Sequence, residues 1–463
     1  MSTAAPAPSV LPPSALRKRP RRWLDALYPA IWRWHFWAGL LVAPVLVVVS
    51  LTGALFVFHD EINAWLHPGM HRVEPGEVRL PYGARLAAVR AHFGEEWRPV
   101  SFSESDDPAQ ADEFFCERDI HPAHEETQGG RDAESDDHEH AHEHAIVMVN
   151  PYTAEITGTF SQERSFMGIV LRLHRSLLGG PLGRIVVELA TCWGIVSLLT
   201  GLLLWWPRLK EKVRGVWLPR FGRGGKIALR DLHTVPGIYI LLFAFLIMFT
   251  GLLFSSVWGR GFFAGLYFAR QLPASYVAPP KSALPSADAT PLSIDEAIAI
   301  ARKEFDFDRL SVAVPEKPDA SWMIGTPLDD PLKPGVFVFV DAYSGKILDK
   351  IIFGEMPPGA RIALWFYSVH VGSIFGLPTQ ILAVITCLAI VLMSVTGVMM
   401  WWRRRPRGKF GAPRKSPGSP PVPKTIVCVI VFLGVIFPLV GASLLLLLAG
   451  QLIVRRVRRK SAQ

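Results

Sequence analysis

The chain has 463 residues, of which 50% are hydrophobic and only 19% are charged. A soluble domain carries about 25% charged residues, so this composition argues against an ordinary soluble protein. The net charge of +9 does not indicate nucleic-acid binding, because the basic residues are gathered in short segments beside apolar stretches.

Five apolar stretches are long enough to cross a lipid bilayer. They cover residues 36–58, 185–206, 234–258, 379–402 and 425–454. About 20 helical residues span a hydrocarbon core of about 30 Å, and each stretch reaches that length. One stretch could be a buried helix of a soluble protein, but five together predict a mainly α-helical polytopic membrane protein.

The sorting of charge predicts how the chain is oriented. Basic residues precede the first span and fill residues 207–230 and 403–424, whereas the segment 60–164 is strongly acidic. Basic loops remain in the cytoplasm, so we expect a bacterial inner-membrane protein with a cytoplasmic N-terminus and two large periplasmic segments. The N-terminus lacks the small-residue cleavage pattern of a signal peptide.

These features predict an order of segments along the chain. The order is a basic N-terminus (1–35), a first span (36–59), a periplasmic segment (60–165), a short interfacial helix with the second span (166–206), a basic loop (207–233), a third span (234–258), a second periplasmic segment (259–360), another interfacial helix with the fourth span (361–402), a basic loop (403–424), a fifth apolar segment (425–454) and a basic tail (455–463). The fifth segment is interrupted by Gly434, Pro438 and Gly441. A single crossing would leave the basic tail outside, whereas a broken or re-entrant hairpin would keep it inside, and both possibilities stay open.

The spans repeat in pairs. The first and third align without a gap, since His35, Gly39, Thr52 and Gly53 recur 198 positions later as His233, Gly237, Thr250 and Gly251. The second and fourth align at 196 positions, since His174, Gly180, Thr200, Gly201, Trp205 and Trp206 recur as His370, Gly376, Thr396, Gly397, Trp401 and Trp402. This pattern predicts a tandem parallel repeat of two-helix units around a pseudo-twofold axis along the membrane normal.

The periplasmic segments repeat more faintly. Residues 149–156 resemble residues 340–347, and both predict a strand, a tight turn and a strand. A helix is expected from Ser293 to Phe305, with Ser293 as N-cap and Glu296 completing a capping box. Each segment is therefore predicted to be a small α+β module, with a helix followed by an antiparallel sheet.

Four histidines occupy matching positions in the two repeats. A twofold axis would place His35 opposite His233 near the cytoplasmic face, and His174 opposite His370 near the periplasmic face. Two opposed imidazoles can ligate a haem iron axially, so two such pairs predict two haem groups stacked across the bilayer. Interfacial hydrogen bonding explains a single histidine, and a proton relay is the main competitor for the four. His59 is an alternative ligand for the periplasmic site, although its repeat partner is Val257.

Other residues near these histidines have weaker assignments. Haem propionates attract guanidinium groups, and the candidate contacts are Arg33, Arg230, Arg172, Arg175 and Arg184. For the first two, positive-inside topology is an equally good explanation. The four Thr-Gly dipeptides are expected to serve helix packing. Gly39 and Gly237 are expected to make room for a flat macrocycle.

The first periplasmic segment contains a histidine-rich insertion at residues 121–144. Alternating acids and His138, His140, His142 and His144 could bind a divalent metal loosely, although a solvated polar insertion explains them as well. The four cysteines are scattered singly, so neither covalent haem attachment nor an iron–sulfur cluster is expected.

Several motifs together resemble one family. They are Trp34-His35 with Gly39 and Thr52-Gly53, the run from Leu173 to Leu177, Asp231-Leu232-His233 with Gly237, and His370-Val371-Gly372 with Gly376. The combination resembles the PepSY-associated transmembrane family, which includes bacterial inner-membrane ferric-siderophore reductases, and its outer modules resemble PepSY domains. The resemblance implies four main spans, haem b held by membrane histidines, and reduction of ferric siderophores at the periplasmic face. No nucleotide-binding glycine motif is present, so the donor would be a separate cytoplasmic reductase or quinol.

The sequence therefore predicts a haem-b reductase that delivers electrons to a ferric siderophore or similar Fe(III) chelate. A proton-coupled transporter that uses the same histidines would be colourless when purified. A non-enzymatic PepSY binding or regulatory protein would tolerate loss of all four histidines.

Overall fold

A computed structural model describes residues 23–94, 96–120, 141–206, 213–284, 290–307, 309–327, 332–333, 335–411 and 424–461. The protein is mostly helical, and its helices in chain order are α1 (Trp23–Phe56), α2 (His59–Leu66), α3 (Pro68–His71), α4 (Tyr82–Phe93), α5 (Phe166–Ser176), α6 (Gly180–Trp205), α7 (Gly225–Tyr239), α8 (Leu241–Gly251), α9 (Trp258–Phe268), α10 (Ala274–Val277), α11 (Ile294–Glu304), α12 (Pro358–Val371), α13 (Leu377–Arg404), α14 (Lys424–Ile436) and α15 (Pro438–Lys460).

Four of these helices are long and apolar enough to cross a membrane by themselves. They are residues Tyr28–Phe56 of α1, then α6, α13 and α15. Helices α7 and α8, with the 3-10 turn that follows to Phe254, would form a fifth span if they are counted together. The protein is thus a multi-pass membrane protein with four to five candidate spans.

Two spans differ from the expected straight helices. The first helix begins at Trp23 rather than near residue 36, so His35 lies within α1 instead of opening it. The third span is bent by 67° between α7 and α8. The continuous apolar run in the sequence had predicted one unbroken helix. Pro236 lies one turn before the bend, and proline inside a helix is a common cause of kinks.

Short helices lead into the second and fourth spans. Helix α5 precedes α6, and α12 precedes α13. The backbone breaks between them at residues with positive φ, namely Leu177, Leu178 and Gly180 in the first case and Gly372 and Gly376 in the second. A proline follows at the start of each long helix, where its missing N–H costs no helical hydrogen bond.

The fifth apolar segment folds back on itself at Phe437. A Cβ atom built on Gly434 would lie 3.1 Å from the Cα atom of Gly441. Seven residues of continuous helix would separate these positions by about 10 Å, so α14 and α15 form a hairpin. Its buried tip, Phe437 and Val440, packs into an apolar cluster with Ile195 and Ala244. The fifth apolar segment is therefore broken at Phe437, and α15 by itself is one of the candidate spans.

The strands form one antiparallel sheet. They are β1 (Arg98–Ser103), β2 (Asp112–Ile120), β3 (Ala141–Val149), β4 (Ile156–Ser161), β5 (Ser311–Ala313), β6 (Trp322–Gly325), β7 (Val336–Val340) and β8 (Ile347–Ile352). The strand order is β4-β3-β2-β1-β5-β6-β7-β8. Two separate modules were expected, but β1 pairs with β5 through Phe102 and Val312, so that the eight strands share one sheet.

Helices α4 and α11 contribute to the hydrophobic core of this sheet. Val89 from α4 and Ile298 from α11 lie in one buried cluster with Phe102, Phe114 and Val338 from the strands. The capping box at the start of α11 is formed, because Ser293 accepts from the Glu296 N–H and the Glu296 side chain accepts from the Ser293 N–H. The sheet and its helices therefore have a core separate from the membrane helices.

Similar turns close the two outer hairpins of the sheet. Between β3 and β4, the Tyr152 N–H donates to Asn150 and the Tyr152 hydroxyl donates to the carbonyl of Pro108. Between β7 and β8, the Tyr343 N–H donates to Asp341 and the Tyr343 hydroxyl donates to the carbonyl of Pro318. The register of the adjoining strands shifts at Met148/Val149 and at Phe339/Val340.

Asp341 gives the second turn a pH dependence that Asn150 does not give the first. Burial alone would raise the pKa of Asp341, but N–H bonds from Ser344, Ala283 and Tyr343 hold it below its usual value. We expect Asp341→Asn to lower the free energy of unfolding by about 1–2 kcal/mol at pH 7, since hydrogen bonds to a charged group are the stronger ones. A carboxyl group with a lowered folded pKa stabilises the protein above its unfolded pKa, near 4, and that stabilisation is lost as the pH falls through the folded value.

The measurement is denaturant unfolding of the full chain in detergent between pH 3 and 7. The wild-type advantage over Asp341→Asn should be complete at pH 6–7 and shrink below about pH 4. Asp319→Asn is the matched control, because Asp319 is bonded to the exposed Lys281 side chain and should give a smaller change. An equal difference at all pH values would contradict the role of the Asp341 charge.

Candidate functional site

The first histidine pair lies at the end of the membrane helices far from the sheet. His35 on α1 and His233 on α7 face each other with ring centroids 6.1 Å apart and an interplanar angle of 81°. We call these two residues the sheet-distal pair. Both rings are partly buried, so each keeps an accessible surface.

The second pair lies at the opposite end, close to where the chain leaves the sheet. His174 on α5 and His370 on α12 also have ring centroids 6.1 Å apart, with an interplanar angle of 48°. We call them the sheet-proximal pair. They sit on the short helices that precede α6 and α13, and these pack against α1 and α8 respectively.

All four imidazoles are held in the same way by a backbone carbonyl on another helix. His35 Nδ1 lies 3.1 Å from the carbonyl oxygen of Ser197, and His233 Nδ1 lies 2.8 Å from that of Met393. His174 Nδ1 lies 2.9 Å from the carbonyl of Val49, and His370 Nδ1 lies 2.9 Å from that of Ile247. A carbonyl only accepts, so each Nδ1 must carry the proton, and Nε2 keeps a lone pair that can bind a metal.

The spacing within each pair fits two ligands on one metal ion. Nitrogen–metal bonds of about 2.0 Å place two opposed Nε2 atoms about 4 Å apart, which puts the ring centres roughly 6 Å apart. No group of three or more His, Cys, Asp or Glu side chains forms a metal site within the described residues. Each pair could supply two nitrogen ligands, a number that a haem iron can take.

Apolar side chains fill the space between the two pairs. Eighteen residues of α1 separate His35 from Gly53, which lies against the His174 ring, so the pairs are about 27 Å apart along that helix. A buried cluster that includes Ile195, Met248 and Ile390 occupies the intervening layer. A Cβ on Gly194 would collide with the terminal methyl of Met248, so α6 and α8 touch as closely as glycine permits.

The comparison with known families agrees with this arrangement of membrane helices. The family model described as the PepSY-associated TM region matches residues 32–404, from just before His35 to the end of α13. The chain belongs to this family. A search of curated proteins found no significant match.

In this PepSY-associated chain, the candidate arginines fall into different environments. Arg175 is close enough to act electrostatically on both His174 and His370, and Arg184 is near enough to act on Arg175. Partial burial and this second cation both lower the pKa of Arg175. Arg172 and Arg175 are both exposed residues of α5, and Arg175 would attract an anionic group next to the sheet-proximal pair.

The arginines near the sheet-distal pair are less available to bind an anionic group. Arg230 contacts Asp231 at 3.3 Å, and Arg33 is partly buried on α1. Asp231 is fully buried and also accepts three hydrogen bonds from Arg220, two from its guanidinium and one from its N–H. The sequence pattern included Asp231 without a role, and the structure shows that it ties the preceding loop to α7 two residues before His233.

His59 lies outside the sheet-proximal pair. Its Nδ1 is 3.1 Å from the carbonyl of Phe56, its ring stacks on Phe56, and its Nε2 is 3.2 Å from Asp60. The structure thus brings His174 together with His370 and leaves His59 with its own neighbours. This arrangement favours the symmetric ligand set over the alternative.

The histidine-rich insertion is described only in part. His138 and His140 lie outside the described residues, and for His142 only the β3 backbone is described. His144 contacts Glu163 at 2.5 Å, while Glu143 pairs with Arg118 and Arg164. The His144 bond lowers the pKa of Glu163, although burial alone would raise it. Within the described residues, His144 on β3 is therefore hydrogen-bonded to Glu163, which follows the edge strand β4.

Sequence reasoning missed one membrane carboxylate. Glu188 on α6 is buried and accepts the N–H groups of Val257 and Trp258 at 2.8 and 2.9 Å, so it caps the start of α9. An anion at a helix N-terminus is stabilised by unpaired N–H groups and by the helix dipole. The available signal was a lone acid inside an apolar stretch, which is costly and usually has a purpose.

Proposed function

We propose that this protein is a haem-b-containing inner-membrane reductase that passes electrons across the membrane to a ferric siderophore or similar Fe(III) chelate. The observation that carries the proposal is the presence of two facing imidazole pairs. In each pair the ring centroids are 6.1 Å apart, and both Nδ1 atoms are hydrogen-bonded to backbone carbonyls. A lone interfacial histidine has no need of an opposed partner. Two pairs at opposite ends of the helices suit a route for electrons.

We further propose that the chain is a tandem parallel repeat with two PepSY-like modules. In support, His35 and His174 have counterparts 198 and 196 positions later in His233 and His370, and all four rings have the same kind of carbonyl anchor. The paired turns at Tyr152 and Tyr343 and the central pairing of β1 with β5 fit the same twofold relation. Such a relation puts equivalent ligands at equal depth on opposite sides of the axis.

The protein's residues would bind, orient and enclose the cofactor. His35 and His233 would hold the haem iron at one site, and His174 and His370 would hold it at the other. Arg175 and Arg184 would hold anionic propionates at the sheet-proximal site. When bound, haem supplies reversible one-electron exchange at each membrane face. The apolar layer around Ile195 and Met248 keeps water out between the sites.

In this proposal the sheet faces the periplasm and the basic loops face the cytoplasm of a bacterial inner membrane. The basic ends of α13 and α15 support this orientation, and the hairpin α14–α15 would place both ends on one side. A cytoplasmic reductase or a quinol would donate electrons at the sheet-distal pair. One electron converts one Fe(III) chelate to Fe(II), so a quinol oxidised to a quinone, with release of two protons, would reduce two chelates.

A proton-coupled transporter fits the structure less well. Proton carriers need a hydrated or hydrogen-bonded route, whereas the layer between the pairs is packed with apolar side chains in the described part of the chain. The carbonyl on each Nδ1 also fixes one tautomer, although a relay requires the ring to exchange protons at both nitrogens. A non-enzymatic PepSY binding protein would leave the four matched anchors without a purpose.

The test is a visible spectrum of the purified full chain, produced with haem available. We expect a Soret band that shifts on dithionite reduction and about two haem b groups per chain, one per histidine pair. Anaerobic addition of an Fe(III) chelate should reoxidise the reduced protein and give one chelatable Fe(II) per electron. Colourless protein would refute the proposal, and coloured protein that no ferric chelate reoxidises would refute its reductase part.

A further inference from the structure

Each histidine ring rests against the glycine of a Thr-Gly dipeptide on the neighbouring helix. A Cβ atom built on Gly53 would lie 3.0 Å from Cε1 of His174, and one on Gly201 would lie 3.2 Å from Cε1 of His35. For Gly397 the distance to His233 Cε1 is 3.3 Å. For Gly251 the distance to His370 Cε1 is only 2.6 Å, so the ring occupies the space of a side chain.

The threonine of each dipeptide lies beside the carbonyl that anchors the same histidine. Its hydroxyl donates to the carbonyl four residues earlier in its own helix, namely Thr200 to Val196, Thr52 to Val48, Thr396 to Leu392 and Thr250 to Leu246, at 2.6–2.8 Å. The carbonyl three residues earlier is the acceptor for the histidine Nδ1 and lies farther from the hydroxyl, at 3.1–3.3 Å. Because its own proton is on another carbonyl, the hydroxyl oxygen can accept, and it lies 3.1–3.4 Å from the Nδ1 atoms of His35, His174 and His233.

We propose that the four Thr-Gly dipeptides are positioning residues that set the rotation of the histidine ligands and the strength of their Nδ1 hydrogen bonds. The inference rests on the proposed function, since it treats the histidines as axial ligands. The carbonyl fixes the Nδ1–H tautomer, and the strength of that bond controls how much electron density Nε2 gives to a metal. The threonine oxygen is a second acceptor for the same Nδ1–H and so increases this donation. The glycine fixes the ring edge and hence the ligand plane.

A packing role alone would explain small residues and in-helix threonine bonds, which are common between membrane helices. It would not explain why all four glycines meet a histidine ring, or why three of the four threonine oxygens lie within 3.4 Å of a histidine Nδ1. The two explanations differ in what they predict for a protein with haem bound. Packing changes alter stability only, whereas changed ligand donation alters the midpoint potential and the EPR spectrum.

Substitution of Thr396 allows a test in which the direction of the change in midpoint potential can be predicted. The Met393 carbonyl is 2.8 Å from His233 Nδ1, whereas the Thr396 hydroxyl is 3.4 Å from that nitrogen, so the carbonyl is the main acceptor. The Thr396 hydroxyl donates to the Leu392 carbonyl, so its oxygen is a second, weaker acceptor for the Nδ1–H. Thr396→Val removes this acceptor, weakens the hydrogen bonding of His233 Nδ1 and should raise the midpoint potential of the sheet-distal site. Thr396→Ser keeps the hydroxyl and should restore the wild-type potential. Spectroelectrochemical titration of the haem-loaded full chain measures both.

The glycines are tested by EPR of the oxidised protein. The angle between the two imidazole planes is 81° in the sheet-distal pair and 48° in the sheet-proximal pair. The low-spin ferric signals of the two sites should therefore be distinguishable. Gly397→Ala needs the His233 ring to move by only a few tenths of an ångström and should shift the sheet-distal signal while haem stays bound. Gly251→Ala should abolish the sheet-proximal signal, because the ring has no room to remain.

Gly450→Ala on α15 is the matched control, since a Cβ there has nothing within 4 Å, and both signals should be unchanged. Haem-loaded Thr396→Val and Gly397→Ala proteins with wild-type potential and EPR signals would overturn this inference and leave the proposed function standing. A wild-type chain that binds no haem would overturn both.

Discussion

The double variant His35→Ala/His233→Ala is expected to lose about half of the bound haem, and His174→Ala/His370→Ala is expected to lose the other half. Each pair is built from different helices, and about 27 Å of α1 separates them, so removal of one pair should leave the other intact. Either double variant should abolish electron transfer from a donor on one side of the membrane to a ferric chelate on the other. The measurements are haem content per chain and chelate reduction in sealed vesicles.

Two single substitutions test whether the loss of haem is specific to the paired histidines. His92→Ala removes an exposed histidine on α4 and should keep full haem content. His59→Ala should also keep both haem groups, because His59 interacts with Phe56 and Asp60. Loss of the sheet-proximal haem in His59→Ala would make His59 the ligand in place of His174 or His370. Retention of all haem in both double variants would end the electron-route proposal.

Asp112→Ala is expected to destabilise the outer sheet by about 3–5 kcal/mol, the usual cost of leaving a buried charge without its partner. Asp112 on β2 is fully buried and pairs with Arg85 of α4, whose side chain is only 2% exposed. Arg85 also lies over the ring of Tyr82, 4.3 Å from its centroid. Without the carboxylate, this guanidinium would stay in the core with no anion at its end.

The measurement is denaturant unfolding of the full chain in detergent, followed by fluorescence, since Trp97 and Trp322 lie in or against the sheet core. Asp119→Ala is the matched control on the same strand. Its partner Arg98 is 48% exposed, so the loss should stay below about 1 kcal/mol. Replacement of both Arg85 and Asp112 by leucine should recover much of the stability. Haem content should be unchanged in all these variants. An equal loss of unfolding free energy in Asp112→Ala and Asp119→Ala would contradict the role of burial.

Several features of this protein could be predicted from the sequence because they depend on local patterns. The membrane helices follow from the length of the apolar runs, and α11 follows from its Ser293–Glu296 capping box. The matched offsets of 198 and 196 positions were enough to group the four histidines into two pairs. These signals lie within one element or in the comparison of two aligned elements.

Other features arise from contacts between residues far apart in the chain, and no local pattern encodes them. The junction of β1 with β5 joins residues about 210 positions apart and turns two expected modules into one sheet. The cap that Glu188 gives α9 and the ion pair of Arg85 with Asp112 each depend on groups that other segments bring near. Burial then makes these contacts strong, since an unpaired charge or N–H in a water-free layer is costly.

The sequence by itself determined that this is a multi-pass membrane protein and which four histidines correspond to one another, since apolar length and repeated spacing are properties of the chain. Only the tertiary structure decided that the rings in each pair stand 6.1 Å apart, that carbonyls hold their Nδ1 atoms and that Thr-Gly dipeptides lie beneath them. The reason is physical. A backbone carbonyl is present at every residue, so which one meets an imidazole depends on how the helices pack.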